Sequence, residues 1–415
     1  MTAATSLTAV PAPDRLHVGF LVPRYGVEII GGAEFGARML AEHLVDLGCA
    51  VEVFTTCARD ARTWADSYPA GTTVVNGVTV HRFASGWRHP DFDALSGPVL
   101  AHPEHVDTAA ADRWIDLQGP RCPEALDAAE ASAADVVVLY PYLYWPTVHG
   151  VRRLGRRAVL QPAAHDEAPI RLPLFTEVFT GPGGVVFHTD SERRLVQDLF
   201  PGTEALPQAV VGLGVEVGVG DERAARDALG LGDRPYLVCV GRLDEQKGTS
   251  LLARWFAAYK QRHPGPLALA LIGPVSDAPG PHPDIVVTGI VDDEVKWGAL
   301  RGARVLVSPS PYESFSVVLI EGWLAGLPAL VNGACHPTTE HCWRSGGGIP
   351  FGGYAEFEVA LDRIERDPQL AAALGRAGRD YAEAHYAWPR LIRRYHDFLQ
   401  LVAARRDRPH AEVPA

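Results

Sequence analysis

Short apolar runs that end in glycine or proline, each followed by a stretch with helical spacing, recur along most of this chain. Leu16–Val22 is the first such run; it stops at Pro23, passes through the glycine-rich turn GVEIIGGAEFG, and leads into a helix predicted from about Ala33 to Leu47, closed by Gly48. Val51–Thr55 supplies the next strand, and Val74–Phe83, with Asn76-Gly77 inside it, predicts a hairpin or tight strand–turn–strand. Residues 84–125 carry many Pro, His and Asp and predict a loop with short helices laid over one face of the domain. Val136–Tyr140, Ala158–Gln161 and Val185–Thr189 are continuous apolar runs, separated by segments long enough for helical crossovers, as a parallel sheet requires.

The same alternation resumes further on. Tyr236–Val240, Leu267–Ile272, Ile285–Val287, Val305–Ser308 and Leu330–Asn332 read as strands. A helix is expected at about Thr249 to Arg262, another over Ser316–Ala325 closed by Gly326 and Pro328, and an amphipathic one from about Trp388 to Val402. Between the two runs lies GLGVEVGVGDE, low in side-chain volume, which suits a hinge. The pattern therefore predicts an α/β chain with two Rossmann-like domains. The expected division is a disordered tail at 1–14, an N-terminal domain at 15–212, a hinge region at 213–233, a C-terminal domain at 234–385, a terminal helix at 386–407 and a second disordered tail at 408–415.

At 415 residues the chain is long enough for two cores. With 47% hydrophobic and 21% charged residues it has a globular composition, and no apolar run approaches the roughly eighteen residues of a membrane span. A net charge of −12 argues against a general nucleic-acid binder, which needs a basic face. The first fourteen residues lack a basic start and an apolar core, so a loose tail and a cytoplasmic protein are expected. Six dispersed cysteines fit reduced, buried thiols.

Candidate chemistry gathers where strands end, because ligands of open parallel sheets bind beyond the strands' carboxyl ends. The densest stretch is Ser308–Pro328, SPSPYESFSVVLIEGWLAGLP. Glu313 sits in a strand-to-helix turn, the amides of Ser314, Phe315, Ser316 and Val317 open the helix, and Glu321 lies about 7 Å further along its axis. Two acceptors so spaced could hold separate hydroxyls of one ligand beside an anion. Spacing alone is weak, since 50 acids in 415 residues give on the order of six such pairs by chance. Gly241-Arg242 and Lys247-Gly248 follow another strand and offer two cations that can neutralise a leaving diphosphate in place of Mg²⁺, or merely decorate a solvated turn.

In the first half, Gly31-Gly32 permits close backbone approach or simply a tight turn. Tyr142, Tyr144 and Trp145 in YPYLYW offer a sugar-stacking platform or ordinary aromatic packing, and His165 a catalytic or a core imidazole. Asp91-Phe92-Asp93 has the form of a metal-binding Asp-x-Asp but lacks a preceding strand, and Cys335-His336 with His341-Cys342 has zinc-ligand types at unsuitable gaps. No metal site is expected, and the Cys/His cluster reads as a loop over the ligand with incidental thiols.

GRLDEQKG (Gly241–Gly248) and ESFSVVLIE (Glu313–Glu321) followed by GLP (Gly326–Pro328), in that order, resemble the retaining glycosyltransferases of GT-B fold in family 4, glycosyl transferases group 1. GGAE (Gly31–Glu34), His165-Asp166, TDSE (Thr189–Glu192) and GVE (Gly214–Glu216) are weaker matches, and the resemblance spans about Leu16 to Val402. It implies two Rossmann-like domains facing each other across a cleft, with the C-terminal helix crossing back to the first. It also implies that Arg242 and Lys247 bind the diphosphate of a nucleoside-diphosphate sugar, Glu313 the sugar hydroxyls and Glu321 the ribose. His165 would stand near the sugar's C6 hydroxyl and Gly31-Gly32 on the acceptor side. The reaction would retain anomeric configuration, with the departing phosphate taking the acceptor's proton and no divalent metal required. Two departures stand out: Ser316 where relatives carry glycine, and GACHPTTEHCWRSGGGI after Asn332, where Glu340 and Gly346–Gly348 keep only the tail of the family pattern.

Three functions compete on these residues. A transferase needs the diphosphate clamp; an epimerase of related fold would need further acid/base carboxylates; a sugar-nucleotide binder would need no clamp. The acceptor is open among a lipid-linked glycan, a polysaccharide and a small metabolite. The basic VRRLGRR, with Arg152, Arg153, Arg156 and Arg157, adds the alternatives of peripheral membrane contact and a solvated helix end.

Overall fold

The computed structural model describes residues 15–29 and 31–405, which form two compact units. One runs up to Pro162, takes in Pro173–Val185 and regains the chain from Tyr395; the other holds Ala163–Leu172 and Val186–Arg394. The tails expected at 1–14 and 408–415 lie outside the described residues.

The first sheet contains β1 (His17–Leu21), β2 (Ala50–Thr56), β3 (Gly71–Val75), β4 (Val78–Phe83), β5 (Val136–Leu139), β6 (Ala158–Leu160), β7 (Gly184–Phe187) and β8 (Gln208–Val210), in the order β3-β4-β2-β1-β5-β6-β7-β8. Its apolar runs are buried because helical crossovers cover a parallel sheet on both faces; β5 and β6 are buried at every position. The hairpin forms as expected: β3 runs antiparallel to β4, and Asn76 (φ 47) and Gly77 (φ 82) are both left-handed, as a two-residue turn of type I′ demands.

Residues 84–125 carry the short helices expected there. They contain the helices Phe92–Ala101 and Thr108–Gln118 and the start of Pro123–Ala131. The residues that looked like loop markers act as helix starts. Asp107 accepts the Ala110 amide as an N-cap, and Pro123 occupies a first-turn position where no amide is missed.

The second sheet contains β9 (Tyr236–Val240), β10 (Ala268–Ile272), β11 (Ile285–Gly289), β12 (Val305–Ser308), β13 (Ala329–Asn332) and β14 (Gly348–Phe351), all parallel, in the order β11-β10-β9-β12-β13-β14. Strand order reverses between β9 and β12. Alternate residues Leu237, Cys239, Leu269, Leu271, Val305 and Val307 bury one face against Leu252, Phe256 and Tyr259 of the helix Thr249–Arg262. Sequence patterning overlooks β14, a four-residue edge strand containing Pro350, which only an edge position tolerates.

The glycine-rich stretch expected as a hinge at 213–233 lies wholly inside the second unit, and three of its glycines meet close neighbours. A Cβ on Gly214 would fall 2.3 Å from Trp388 Cδ2, one on Gly218 2.1 Å from Trp297 Cδ1, and one on Gly220 2.3 Å from the Gly298 amide. Arg301 donates to the carbonyls of Gly218 (2.5 Å) and Gly220 (2.7 Å). These glycines serve close approach, and the chain passes between units at 162–163, 172–173, 185–186 and 394–395 instead. The last helix, Trp388–Ala403, crosses back as expected: from Tyr395 on it belongs to the first unit, where the Tyr395 hydroxyl donates to Gln161 Oε1 at 2.8 Å.

Candidate active site

The reversal between β9 and β12 is where an open α/β sheet leaves a crevice for a ligand, and both charged motifs follow these two strands. After β9, Asp244 organises the loop: Oδ1 accepts the Lys247 amide at 2.8 Å, and Oδ2 accepts from Arg242 Nε. Gly248 (φ 71) ends the loop; a Cβ there would lie 2.7 Å from the Pro309 carbonyl, so glycine lets the loop pack on the one after β12. Lys247 then donates to Glu313 Oε1 at 2.7 Å and to the Tyr312 carbonyl at 3.4 Å. The fold thus brings a cation and a carboxylate from separate motifs into one half-buried pair. Arg242 is exposed beside them.

The turn carrying Glu313 is held from beneath. Thr189 Oγ1 donates to the Ser314 carbonyl at 3.2 Å, and Phe315, buried, sets its ring edge-on to His341 and Tyr386. Ser316 caps the helix Val317–Leu324 with φ 71 and ψ 80. That left-handed backbone is one that glycine, the residue the resemblance leads one to expect here, adopts more readily than serine. Gly241 (φ 144) opens the β9 loop, with its carbonyl 2.0 Å from where a Cβ on Gly273 would stand. Two glycines let these loops touch.

Glu321 is buried in the helix behind the turn. Burial raises its carboxyl pKa, and Lys296, whose Nζ lies 2.7 Å from Oε1, opposes that shift. Burial in turn works against the Lys296 charge, but Glu321 and Asp293 outweigh it and push the ammonium's pKa up.

His165 belongs to the same unit through Ala163–Leu172. Its ring centroid is 5.8 Å from that of Tyr312, and Nδ1 is 3.2 Å from Glu167 Oε1. Its segment is pinned by Glu192, a fully buried carboxylate that accepts the amides of Ala164 and His188, each at 2.6 Å.

Gly31 and Gly32 lie in the first unit, after β1 and at the start of the helix Gly32–Asp46. Gly31 has an extended φ that any residue adopts, but a Cβ would meet Glu34 Oε2 at 2.2 Å, and Glu34 is the partner of Arg24. Around Gly32 a Cβ would meet nothing within 4 Å.

The stacking platform is corrected by the structure. Tyr142 is buried against Phe175 and Phe179; Trp145 is buried, its ring tilted against that of His149, with its indole N–H donated to Asp116 at 2.9 Å. The Tyr144 ring lies at right angles to that of Trp64, with ring centroids 5.3 Å apart. Buried rings cannot stack on a sugar, so Tyr142 and Trp145 are packing, whereas Tyr144 is half-buried. The segment after Asn332 is also not a loop. His336–Ser345 is a helix; Cys335 and Cys342 are buried, and His341 Nδ1 is 3.1 Å from the Tyr381 hydroxyl. On this helix Glu340 accepts the amides of Ser191 (2.6 Å) and Asp190 (3.3 Å), holding the start of the helix Asp190–Leu199.

Among the described residues, the only His/Cys/Asp/Glu group with atoms close enough to share a metal is His102, Glu104 and His105, on an exposed turn of the first unit. In VRRLGRR, Arg152 is paired with Asp112 and Glu177, Arg153 with Asp127 and Glu130, and Arg157 is bound to the carbonyls of Glu130, Ser132 and Ala134. No helix among the described residues is long and apolar enough to cross a membrane.

Two positioning groups escaped sequence reasoning. Lys296 lies 25 positions before Glu321 with no motif joining them. Glu192 had a usable signal, the Thr-x-x-Glu spacing of a helix N-terminus. Thr189 Oγ1 does accept the Glu192 amide there, at 3.1 Å.

Residues 234–346 match the model of the family described as glycosyl transferases group 1. Over 92% of its length the chain is 28% identical to 95% of a D-inositol 3-phosphate glycosyltransferase of Kribbella flavida. In three dimensions 94% of it follows the whole of a sucrose-phosphate synthase chain from Thermosynechococcus elongatus, at a TM-score of 0.69 and 19% identity. An Anabaena protein in complex with UDP and glucose is followed over 93% of this chain and 100% of its own, at a TM-score of 0.65 and 14% identity. The chain therefore has the two-sheet architecture of the GT-B fold, and the part of it that carries both charged motifs, at the reversal point of the second sheet, is similar to the glycosyl transferases group 1.

Proposed function

We propose that the protein transfers a sugar from a nucleoside-diphosphate sugar to an acceptor hydroxyl with retention of anomeric configuration and without a divalent metal. The observation that carries this reading is the 2.7 Å pair of Lys247 and Glu313 beside Arg242 at the β9/β12 reversal. Cations there can take the charge that grows on the departing diphosphate, while the carboxylate accepts hydroxyls of the transferred sugar. The amides of Ser314, Phe315 and Ser316, with Gly241, line the phosphates; Glu321 accepts the ribose hydroxyls; His165 stands at the sugar's C6 side, and Gly31-Gly32 at the acceptor. The departing phosphate oxygen takes the acceptor proton, so no side-chain nucleophile is required.

The UDP bound by the Anabaena relative makes uridine the first donor base to assay, and the names of the relatives favour a phosphorylated polyol or sugar as acceptor. A lipid acceptor at an anionic membrane is less favoured, because VRRLGRR spends its guanidiniums on carboxylates and carbonyls.

Purified protein should hydrolyse its nucleotide sugar slowly, at the same rate in EDTA. Lys247→Ala should lower that rate by about 10²–10³-fold, the usual effect of removing one charge-stabilising donor. An unchanged rate in the variant would remove the clamp, loss of activity in EDTA would remove metal independence, and an inverted product anomer by NMR would remove the retaining mechanism.

A further inference from the structure

We propose that Lys296 is a positioning residue for nucleotide recognition, holding the Glu321 carboxylate ionised and aimed so that it reads the ribose diol; this rests on the donor-site reading above. Lys296 comes from a different element, the helix Asp293–Gly302, and its Nζ is 2.7 Å from Glu321 Oε1 and 2.7 Å from Asp293 Oδ1. Glu321 shows only 9% of its side chain to solvent and Lys296 21%, whereas Asp293 is 70% exposed. A carboxylate that deep needs a counterion to stay charged. Only the ionised form accepts through both oxygens, as a vicinal diol requires, and charge-assisted bonds are about twice as strong as neutral ones.

The geometry separates the two tasks. Lys296 engages Oε1, which leaves Oε2 for a ligand hydroxyl, and a lone pair on Oε1 remains for the second. Asp293, three residues before Lys296 on the same helix, holds the ammonium from the solvent side. The lysine is thereby anchored between two carboxylates, and phosphate binding is left to the cations of the β9 loop. Removing Lys296 therefore acts on ribose recognition and spares the diphosphate.

The test uses the full-length protein and titrates UDP, GDP and ADP with their 2′-deoxy and 2′,3′-dideoxy forms by calorimetry. The wild type should prefer the ribose form of its best diphosphate by at least about tenfold, the cost of leaving a buried acceptor unmet. Lys296→Met should reduce that preference to within about twofold while binding the dideoxy form as the wild type does, and Lys296→Arg should restore part of it. In a cycle with Glu321→Gln, the double variant should be no worse than either single one. If Lys296→Met melts below the assay temperature, Lys296→Gln takes its place in the same comparison.

A full ribose preference in the lysine variant would overturn the inference alone. A wild type that ignores the diol, or a Glu321→Gln variant that keeps the preference, would overturn the donor-site reading and this inference with it. An equal loss for all three sugar forms would show a merely structural lysine.

Discussion

Ser316 stands where the family resemblance leads one to expect glycine, and its backbone shows what the serine costs. At φ 71 and ψ 80 the serine Cβ crowds the following carbonyl, which costs an L-residue about 1–2 kcal/mol. Ser316→Gly should relieve this and raise stability by up to about 1 kcal/mol after the extra freedom of an unfolded glycine is deducted. Urea unfolding should show a higher midpoint at unchanged slope; a lower midpoint would mean that the hydroxyl contributes more than the strain costs. The site around it was partly legible in sequence. Arg242, Lys247, Glu313 and Glu321 could be placed because each follows a strand end or a helix start. The Lys247–Glu313 and Lys296–Glu321 pairs could not, since they join positions 66 and 25 apart that no local spacing relates.

At the scale of elements, glycine and proline carried two meanings that sequence alone did not separate. Around Asn76-Gly77 the glycine is conformational, and the hairpin was legible because a type I′ turn is a local requirement. Between Gly214 and Gly220 the glycines are steric. Gly220→Ala should destabilise the second unit by about 1–3 kcal/mol, the usual cost of an overpacked site, because its Cβ would fall 2.3 Å from the Gly298 amide and 2.4 Å from the Glu294 carbonyl. Thermal unfolding can check this, and a melting temperature within about one degree of wild type would show a backbone able to move aside. The short helices expected within 84–125 form at 92–101 and 108–118, but their bounds were not legible, because Pro, His and Asp mark a helix start as readily as a loop.

For the whole molecule, the buried aromatic cluster beneath the donor loops predicts an acid limit. His341, held against Phe315, Trp323, Tyr381 and Tyr386, has its pKa pushed down to about 3, first by burial and then by Arg344. Its unfolded value is about 6.5. Below that pH the unfolded chain takes a proton that the folded chain refuses, so stability present above 6.5 is lost as pH falls toward 3. Between about pH 6 and 4 the stability of the wild type relative to His341→Gln should shrink by about 1.4 kcal/mol per pH unit, read from denaturant midpoints at each pH. Parallel pH profiles for the two proteins would contradict this.

The sequence by itself determined the periodic features: alternating strands and helices in two sheets, the hairpin, the last helix, and charged motifs at strand ends. These follow from local rules of burial and backbone conformation that a short window contains. Only the tertiary structure decided which side chains meet and which are spent on packing. Tyr142 and Trp145, which a window shows as an aromatic patch, are interior packing in the first unit; the glycines before Asp221 are spacers for Trp297 and Trp388; CHPTTEHC is a helix whose thiols and His341 are buried. The physical reason is that burial and ion pairing depend on neighbours far apart in the chain. Lys296 had no visible role until the fold set it against Glu321.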